Sequence, residues 1–237
     1  MNTAIILAAG KGSRMKAGIN KQYLNLKGRP ILSYTLEVFS ACDAVDEIVL
    51  VIDAKEKQLC YNLVLNNMNQ NKPIKIVNGG DERQQSVQRG LRKLHDSTDI
   101  IVIHDGARPF VTCEMIENCI KGANKYGAVS LGVPIKETVK TVDDKEFVIN
   151  TLNREKIWIT QTPQAFKRDL IVQAHDKALN DKKMATDDAM LVEYLHYNVK
   201  MIMGDYSNIK ITTAEDLIIA EAIIENAKTV FYGGKND

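Results

Sequence analysis

The 237 residues carry 31 basic and 30 acidic side chains, a formal charge of +1, with 45% apolar and 26% charged residues. That balance argues against the sequence-independent electrostatics of nucleic-acid binding, which need a basic excess or stripe, and it suits a soluble globular chain with a large buried core. No apolar run approaches the ~18 residues of a membrane span, so no membrane partner is expected.

The N-terminus runs directly into a predicted strand, leaving no room for a signal or transit peptide. The four cysteines (Cys42, Cys60, Cys113 and Cys119) show no CxxC pairing and no histidine at metal spacing. They read as reduced thiols of a cytoplasmic protein.

In chain order, the nearly continuous apolar runs Ala4–Leu7, Ile48–Ile52, Ile74–Val77, Ile100–Ile103 and Ala128–Val133 read as buried strands. Helical periods lie between them. Pro30–Phe39 has proline at the expected first helical position and apolar Ile31, Leu32, Leu36 and Phe39. Glu82–Leu94 and Cys113–Lys125 follow, each with a charged outer face. This alternation predicts an α/β fold with a parallel or mostly parallel sheet and helices on both faces.

From about Ile135 to Ile159 the pattern breaks. KETVKTVDDKEFVINTLNREKIWIT has β-branched residues, a polar Asp143-Asp144 turn and no helical stripe, and predicts an extended hairpin projecting from the sheet. A plain surface hairpin is one reading. It would leave Val139, Val142, Phe147, Val148 and Ile149 exposed, which favours a partner chain covering them. Beyond it, Lys167–Leu179, Asp187–Leu195 and Ala214–Ala227 read as helices, and Val199–Met203 and Ile209–Ile211 as short strands. The last residues, YGGKND, read as a frayed tail.

The ends of the predicted strands carry the chemistry. Strand one ends in AAGKGSR, the third in NGGDERQQS and the fourth in HDGARPF. Ligands of such sheets bind beyond the carboxyl ends of the strands, where these loops converge. A dinucleotide fingerprint needs a third glycine where Met15 stands after Gly10 and Gly12, and a P-loop needs a Gly-Lys-Ser/Thr ending that is absent. What remains is a turn whose backbone can approach phosphates, with Arg14 and Lys21 adding charge; taken singly, these residues would pass for a tight turn and surface cations. Asp105 at its strand end is a natural anchor for Mg²⁺ among phosphates, although Asp105-Gly106 also fits simple turn chemistry. Arg108 beside it could fork onto a second phosphate-bearing substrate. His104 reads as a satisfied strand-end histidine rather than a base.

LAAGKGSRM, KQYL, GGDERQQSV, HDGARPF, VPIKETVK, NREKIWITQTPQAF, TDDAMLVE and NIKITTAEDL occur in this order from about Ala4 to Leu217. Together they closely resemble the 2-C-methyl-D-erythritol 4-phosphate cytidylyltransferase family. The first motif alone would indicate only the wider nucleotidyltransferase superfamily. The resemblance implies a Rossmann-like three-layer α/β/α fold, in a single domain over 1–237 with a dimerisation arm at about 136–158. It also implies transfer of CMP from CTP to the sugar phosphate with Mg²⁺, in non-mevalonate isoprenoid synthesis.

By the same resemblance Arg14 and Lys21 match transition-state cations, Lys210 a further cation at the nucleotide phosphates, and Asp105 the magnesium ligand. Ala8, Ala9, Gly10, Gly12, Gly80, Asp81 and Ser86 match the nucleotide pocket. Arg108, Thr138, Arg154, Thr162 and Thr186 match the acceptor site, with Thr138 and Arg154 reaching the neighbouring subunit of a homodimer. Thr186 also reads as the N-cap of the helix opened by Asp187-Asp188, and Arg83 as either a pocket residue or a solvated helix-start cation.

Three positions depart from the family pattern. Asn20 stands where proline often precedes KQYL, Gly106 where alanine is common, and Ser207 where some relatives carry an acid, so no second metal ligand is assigned. A cytidylyltransferase for another alcohol phosphate, such as D-ribitol 5-phosphate, shares the first loop, and the acceptor-side motifs favour methylerythritol phosphate. A non-catalytic nucleotide-binding module would have no use for Arg14, Lys21 and Asp105 together.

Overall fold

The computed structural model describes residues 1–10 and 20–232, with side chains described through residue 226. Gly12, Arg14 and the end of the tail therefore lie outside the described residues.

The strands are β1 (Asn2–Ala8), β2 (Asn25–Leu26), β3 (Arg29–Pro30), β4 (Glu47–Ile52), β5 (Ile74–Asn78), β6 (Ile100–Asp105), β7 (Ala128–Pro134), β8 (Lys140–Val142), β9 (Val148–Thr151), β10 (Trp158–Lys167) and β11 (Lys200–Met203). The helices are α1 (Ile31–Ala41), α2 (Lys57–Leu63), α3 (Arg83–Leu91), α4 (Cys113–Tyr126), α5 (Arg168–Asn180), α6 (Asp188–Tyr194) and α7 (Ala214–Tyr232). Seven strands form the main sheet in the order β11-β7-β10-β6-β1-β4-β5. Its pairings are parallel except for β10, which runs antiparallel to both neighbours.

Because successive strand residues point to opposite faces, the buried strands feed two cores. Ala4, Ile6, Ile48, Leu50 and Val102 pack with Leu36 and Phe39 of α1, Cys60 of α2 and Ile116 of α4. Ile5, Val49, Val51, Ile101 and Ile103 pack on the other face with Val87 of α3, Ile171 of α5 and Leu191 of α6. The result is the three-layer α/β/α arrangement, and both faces being covered explains the absence of polar alternation in these strands.

Several local details differ from the sequence reading. Pro30 is not inside α1. It closes the β2–β3 hairpin, whose turn residues Lys27 and Gly28 both have positive φ, and then serves as the N-cap, so the helix opens at Ile31. The third helix is shorter than Glu82–Leu94, because Glu82 is its N-cap in a capping box with Gln85 and regular helix ends at Leu91. Residues Ile209–Ile211 form no strand. They cross the end of the sheet, tied by the Ile211 amide to the Ala107 carbonyl at 2.9 Å. The N-cap of α6 is Asp187, whose carboxylate accepts from the Met190 amide at 2.9 Å, and not Thr186. The antiparallel strand β10 was not expected. Its residues include the buried polar Gln161, Thr162 and Gln164, so it lacks an apolar run.

The projecting arm is present as β8 and β9, paired antiparallel. Its turn is closed by Asp143, whose Oδ1 accepts from the amides of Lys145 and Phe147, each at 2.9 Å. Every residue of both strands is exposed, with Phe147 at 69% and Ile149 at 68% exposure, while Val139 at the base is half-buried. All four cysteines are free thiols. Among the described residues no helix is long and apolar enough to cross a membrane.

Candidate active site

In chain order, β4 and β5 follow β1 outward on one side, whereas β6 lies on the other side of β1. The sheet thus reverses its winding between β1 and β6, and a crevice opens beyond their carboxyl ends. It is lined by Ala8, Ala9 and Gly10 after β1, Lys21 and Gln22, the loop Gly80–Arg83 with Ser86, Asp105 and Ala107 after β6, and Lys210.

The KQYL segment is tied to the end of β1. Gln22, only 2% exposed, donates from Nε2 to the Ala8 carbonyl at 2.5 Å, which sets its neighbour Lys21 at the crevice. Asn20 donates to Glu56 Oε1 at 2.5 Å, so this end of the segment is held by a side-chain contact.

The opposite wall is the loop before α3. Ser86 Oγ accepts from the Gly80 amide at 3.0 Å, which leaves the hydroxyl proton free to be donated into the crevice. Gln85 Oε1 accepts from the Asp81 amide at 3.0 Å. The preceding Gly79 packs so closely that a Cβ there would lie 2.2 Å from the Ala9 Cβ and 3.0 Å from Ser86 Oγ. Gly79→Ala must push the two walls apart. Overpacking of this kind costs about 1–3 kcal/mol, and at about 2–4 °C per kcal/mol the melting temperature should fall by several degrees. A thermal melt together with the KM for nucleotide checks this; an unchanged KM would show that the wall spacing is immaterial.

On the floor, Asp105 is 7% exposed. Its Oδ1 accepts from Arg83 Nε at 3.3 Å and its Oδ2 pairs with Lys210 Nζ at 2.6 Å. Burial opposes its charge, but Arg83 and Lys210 prevail and hold its carboxyl well below the usual carboxylate range. Lys210 is placed there by the crossing segment: the Ile211 amide is fixed to Ala107, and Arg108 Nη1 donates to the Asn208 carbonyl at 2.7 Å. Arg83 is the pocket residue of the two readings given above. Its guanidinium also reaches Asp188 Oδ2 at 2.7 Å.

Behind this floor, Thr162 Oγ1 accepts from the Asp105 amide at 3.0 Å and lies 3.1 Å from His104 Nδ1. His104 Nε2 lies 3.2 Å from the Arg108 carbonyl. One proton assignment satisfies every contact: Nε2–H donates to the carbonyl and the Thr162 hydroxyl donates to Nδ1. Burial pushes the His104 pKa down to about 4, so the ring is neutral near pH 7 and acts as a strut, as its strand-end position suggested.

Of the expected residues, Ala8, Ala9, Gly10, Lys21, Gly80, Asp81, Ser86, Asp105 and Lys210 meet at one crevice. Thr162 and Arg108 stand behind it, with the Thr162 hydroxyl and Arg108 Nη1 engaged in the contacts just described. Thr138 and Arg154 belong to the exposed arm, where Arg154 Nη1 donates to the Lys136 carbonyl at 3.1 Å. Thr186 is exposed, with its hydroxyl 3.8 Å from the Met190 sulfur. Gly12 and Arg14 are outside the described residues. Gln22 and Ala107 were not expected at the site; each adjoins a residue that was, and Gln22 announces itself only through the carbonyl it caps.

Backbone amides and a serine on one wall, and cations gathered around one buried carboxylate at the switch of a mostly parallel sheet, mark a nucleotidyltransferase. A family profile described as IspD, 2-C-methyl-D-erythritol 4-phosphate cytidylyltransferase, matches residues 2–226. Relatives of that name from Caldanaerobacter subterraneus subsp. tengcongensis and Clostridium botulinum (strain Langeland) are 45% and 49% identical, each over 94% of this chain and over 98% and 97% of their own lengths. The crystal structure of 4-diphosphocytidyl-2C-methyl-D-erythritol synthase from Anaerococcus prevotii superposes with a TM-score of 0.86 at 36% identity, covering 95% of this chain and 96% of that one. The chain belongs to the 2-C-methyl-D-erythritol 4-phosphate cytidylyltransferase family.

Proposed function

We propose that this crevice performs the family reaction, transfer of CMP from CTP to 2-C-methyl-D-erythritol 4-phosphate with release of pyrophosphate, as a step of isoprenoid synthesis. The single observation that carries the reading is the meeting of Lys21, Lys210, Asp105 and the Gly80–Ser86 wall in one crevice. An oxygen of the acceptor phosphate forms a bond to the α-phosphorus of CTP while the bond from that phosphorus to the bridging oxygen breaks, and pyrophosphate carries the electron pair away. No proton need move at the reacting centre, so catalysis is positioning and electrostatic stabilisation.

The base sits against Ala8, Ala9 and Gly10, read by the Gly80 loop, Asp81 and the Ser86 hydroxyl. Lys21 and Lys210 stabilise charge growing on the phosphoryl oxygens, joined by Arg14. A divalent cation fits Asp105, since Mg²⁺ is held by one or two carboxylates with substrate phosphates, and there it would neutralise triphosphate charge. Among the described residues no cluster of three or more acidic, histidine or cysteine ligands offers an all-protein cage. Arg108, Thr162 and Thr186 lie on the acceptor side, Thr162 by holding the Asp105 backbone.

The deciding experiment incubates the protein with CTP, Mg²⁺ and either methylerythritol phosphate or ribitol 5-phosphate, and measures pyrophosphate. Release only with methylerythritol phosphate is expected. Release only with ribitol 5-phosphate would replace the acceptor, and none with either would favour a binding module.

The arm supports a homodimer in which Thr138 and Arg154 serve the neighbouring site. Exposed Phe147, Val148 and Ile149 form an apolar surface that a second copy would cover. Light scattering should give twice the chain mass of 26.5 kDa. The double variant Phe147→Asp, Ile149→Asp should run as a monomer with a raised KM for the acceptor; a monomeric wild-type protein at micromolar concentration would sink the shared site.

A further inference from the structure

A buried acid–base pair outside the crevice reaches it through Arg83. Asp188 at the start of α6 is 1% exposed and His175 of α5 is 2% exposed. Each carboxylate oxygen of Asp188 has one side-chain partner: His175 Nε2 lies 3.0 Å from Oδ1, and Arg83 Nη1 lies 2.7 Å from Oδ2. The nitrogen facing an ionised carboxylate carries the hydrogen, because such an oxygen only accepts. Asp188 is fixed in turn from the backbone. Gln164 Oε1 of β10 accepts from the amides of Asp188 and Ala189 at 3.2 and 3.1 Å, and its Nε2 donates to Asp187 at 2.8 Å.

The two cations on Asp105 are therefore unequal. Arg83 is anchored at a second, buried carboxylate, and its planar fork fixes the direction of its bond to Oδ1. Lys210 meets Oδ2 with a point charge on a four-carbon stem, which can turn to another anion at little penalty. One oxygen is thus held and the other is exchangeable.

We propose that His175, Asp188 and Arg83 form a positioning chain that fixes Asp105 by Oδ1 and reserves Oδ2 for the cation that accompanies the nucleotide. This rests on the cytidylyltransferase reading. Without the anchor, Arg83 would close on Asp105 alone and occupy both oxygens. The chain acts through Asp105: His175 and Asp188 lie outside the crevice lining, and Arg83 carries their hold to the floor.

The test is calorimetric titration of CTP, without acceptor, in the presence of Mg²⁺ and in EDTA; the ratio of the two affinities measures the coupling between metal and nucleotide. Asp188→Asn keeps the volume but discharges the anchor, and should lower that ratio by roughly tenfold or more, the usual scale for residues that orient a metal ligand. The affinity in EDTA should stay within about twofold of wild type, since the nucleotide's own contacts are untouched. Arg83→Lys should lower the ratio likewise, because an ammonium cannot span both carboxylates, and it decides the matter should Asp188→Asn fail to fold. His175→Gln, which keeps a donor near the Nε2 position, should retain more of the ratio than His175→Leu. A merely structural tie predicts a lower melting temperature with an unchanged ratio, and that result overturns the proposal, as does an equal loss with and without metal. A wild-type protein that binds no CTP would take down the underlying reading, a different failure from an unchanged ratio.

Discussion

Lys21→Ala is expected to lower kcat by about 10²–10³-fold, the scale for losing one preorganised group that meets developing charge, with little change in CTP affinity. Lys21 lines the crevice from a segment held by Gln22 on the Ala8 carbonyl and by Asn20 on Glu56. A group held in advance meets transition-state charge without reorganising, whereas a group that merely binds substrate lowers KM alone. Steady-state kinetics with both substrates separate the two cases. A raised KM with unchanged kcat would make Lys21 a ground-state binder.

Asp105→Asn has the second large effect. The amide keeps the shape and the backbone bond to Thr162, but it leaves Arg83 and Lys210 facing each other across a neutral group. Activity should fall by about 10³-fold or more, because one charge both orders the cations and fits the metal. Breaking a buried pair costs about 3–5 kcal/mol, and the lower end applies because the Arg83 and Lys210 side chains are 28% and 35% exposed. The loss depends on pH in a definite sense. A carboxyl whose folded pKa lies below the unfolded value of about 3.9 contributes stability above that value and loses it as pH falls through the folded pKa. Denaturant melts should show wild type and variant well apart at pH 7 and converging below about pH 4. A gap that stays constant down to acid pH would mean that the cations do not depress this carboxyl.

Much of this site is legible in the sequence because strand-end loops declare themselves. Strands β1, β4, β5 and β6 are apolar runs that stop near glycine or acid, and the fold rule then brings those stops together. The arm is legible for the opposite reason, since its β-branched and aromatic residues follow no core-facing period and therefore predict a hairpin that projects from the sheet. What stayed hidden depends on contacts between distant residues. Strand β10 has no apolar run, because Gln161, Thr162 and Gln164 turn inward to hold loops and helix starts. The segment around Lys210 has the β-branched look of a strand, yet it crosses the sheet end, tied by the Ile211 amide to the Ala107 carbonyl. Arg83 cannot be told from a surface cation until the fold brings Asp188 beside it, 105 residues away. Thr162 lies buried beneath the Asp105 amide, a contact across 57 residues that no local pattern announces.

The tight wall at Gly79 bears on how this crevice could escape an inhibitor. Resistance commonly arises when a residue shrinks or withdraws a contact. At Gly79 there is nothing to remove, and any substitution adds a carbon that would lie 2.2 Å from the Ala9 Cβ. Neighbouring Gly80 is as confined, with an added Cβ lying 2.4 Å from that of Gln85. A compound pressed against these two positions would meet a surface that mutation can only thicken, and thickening it displaces the loop that carries Asp81 and Ser86 along the crevice.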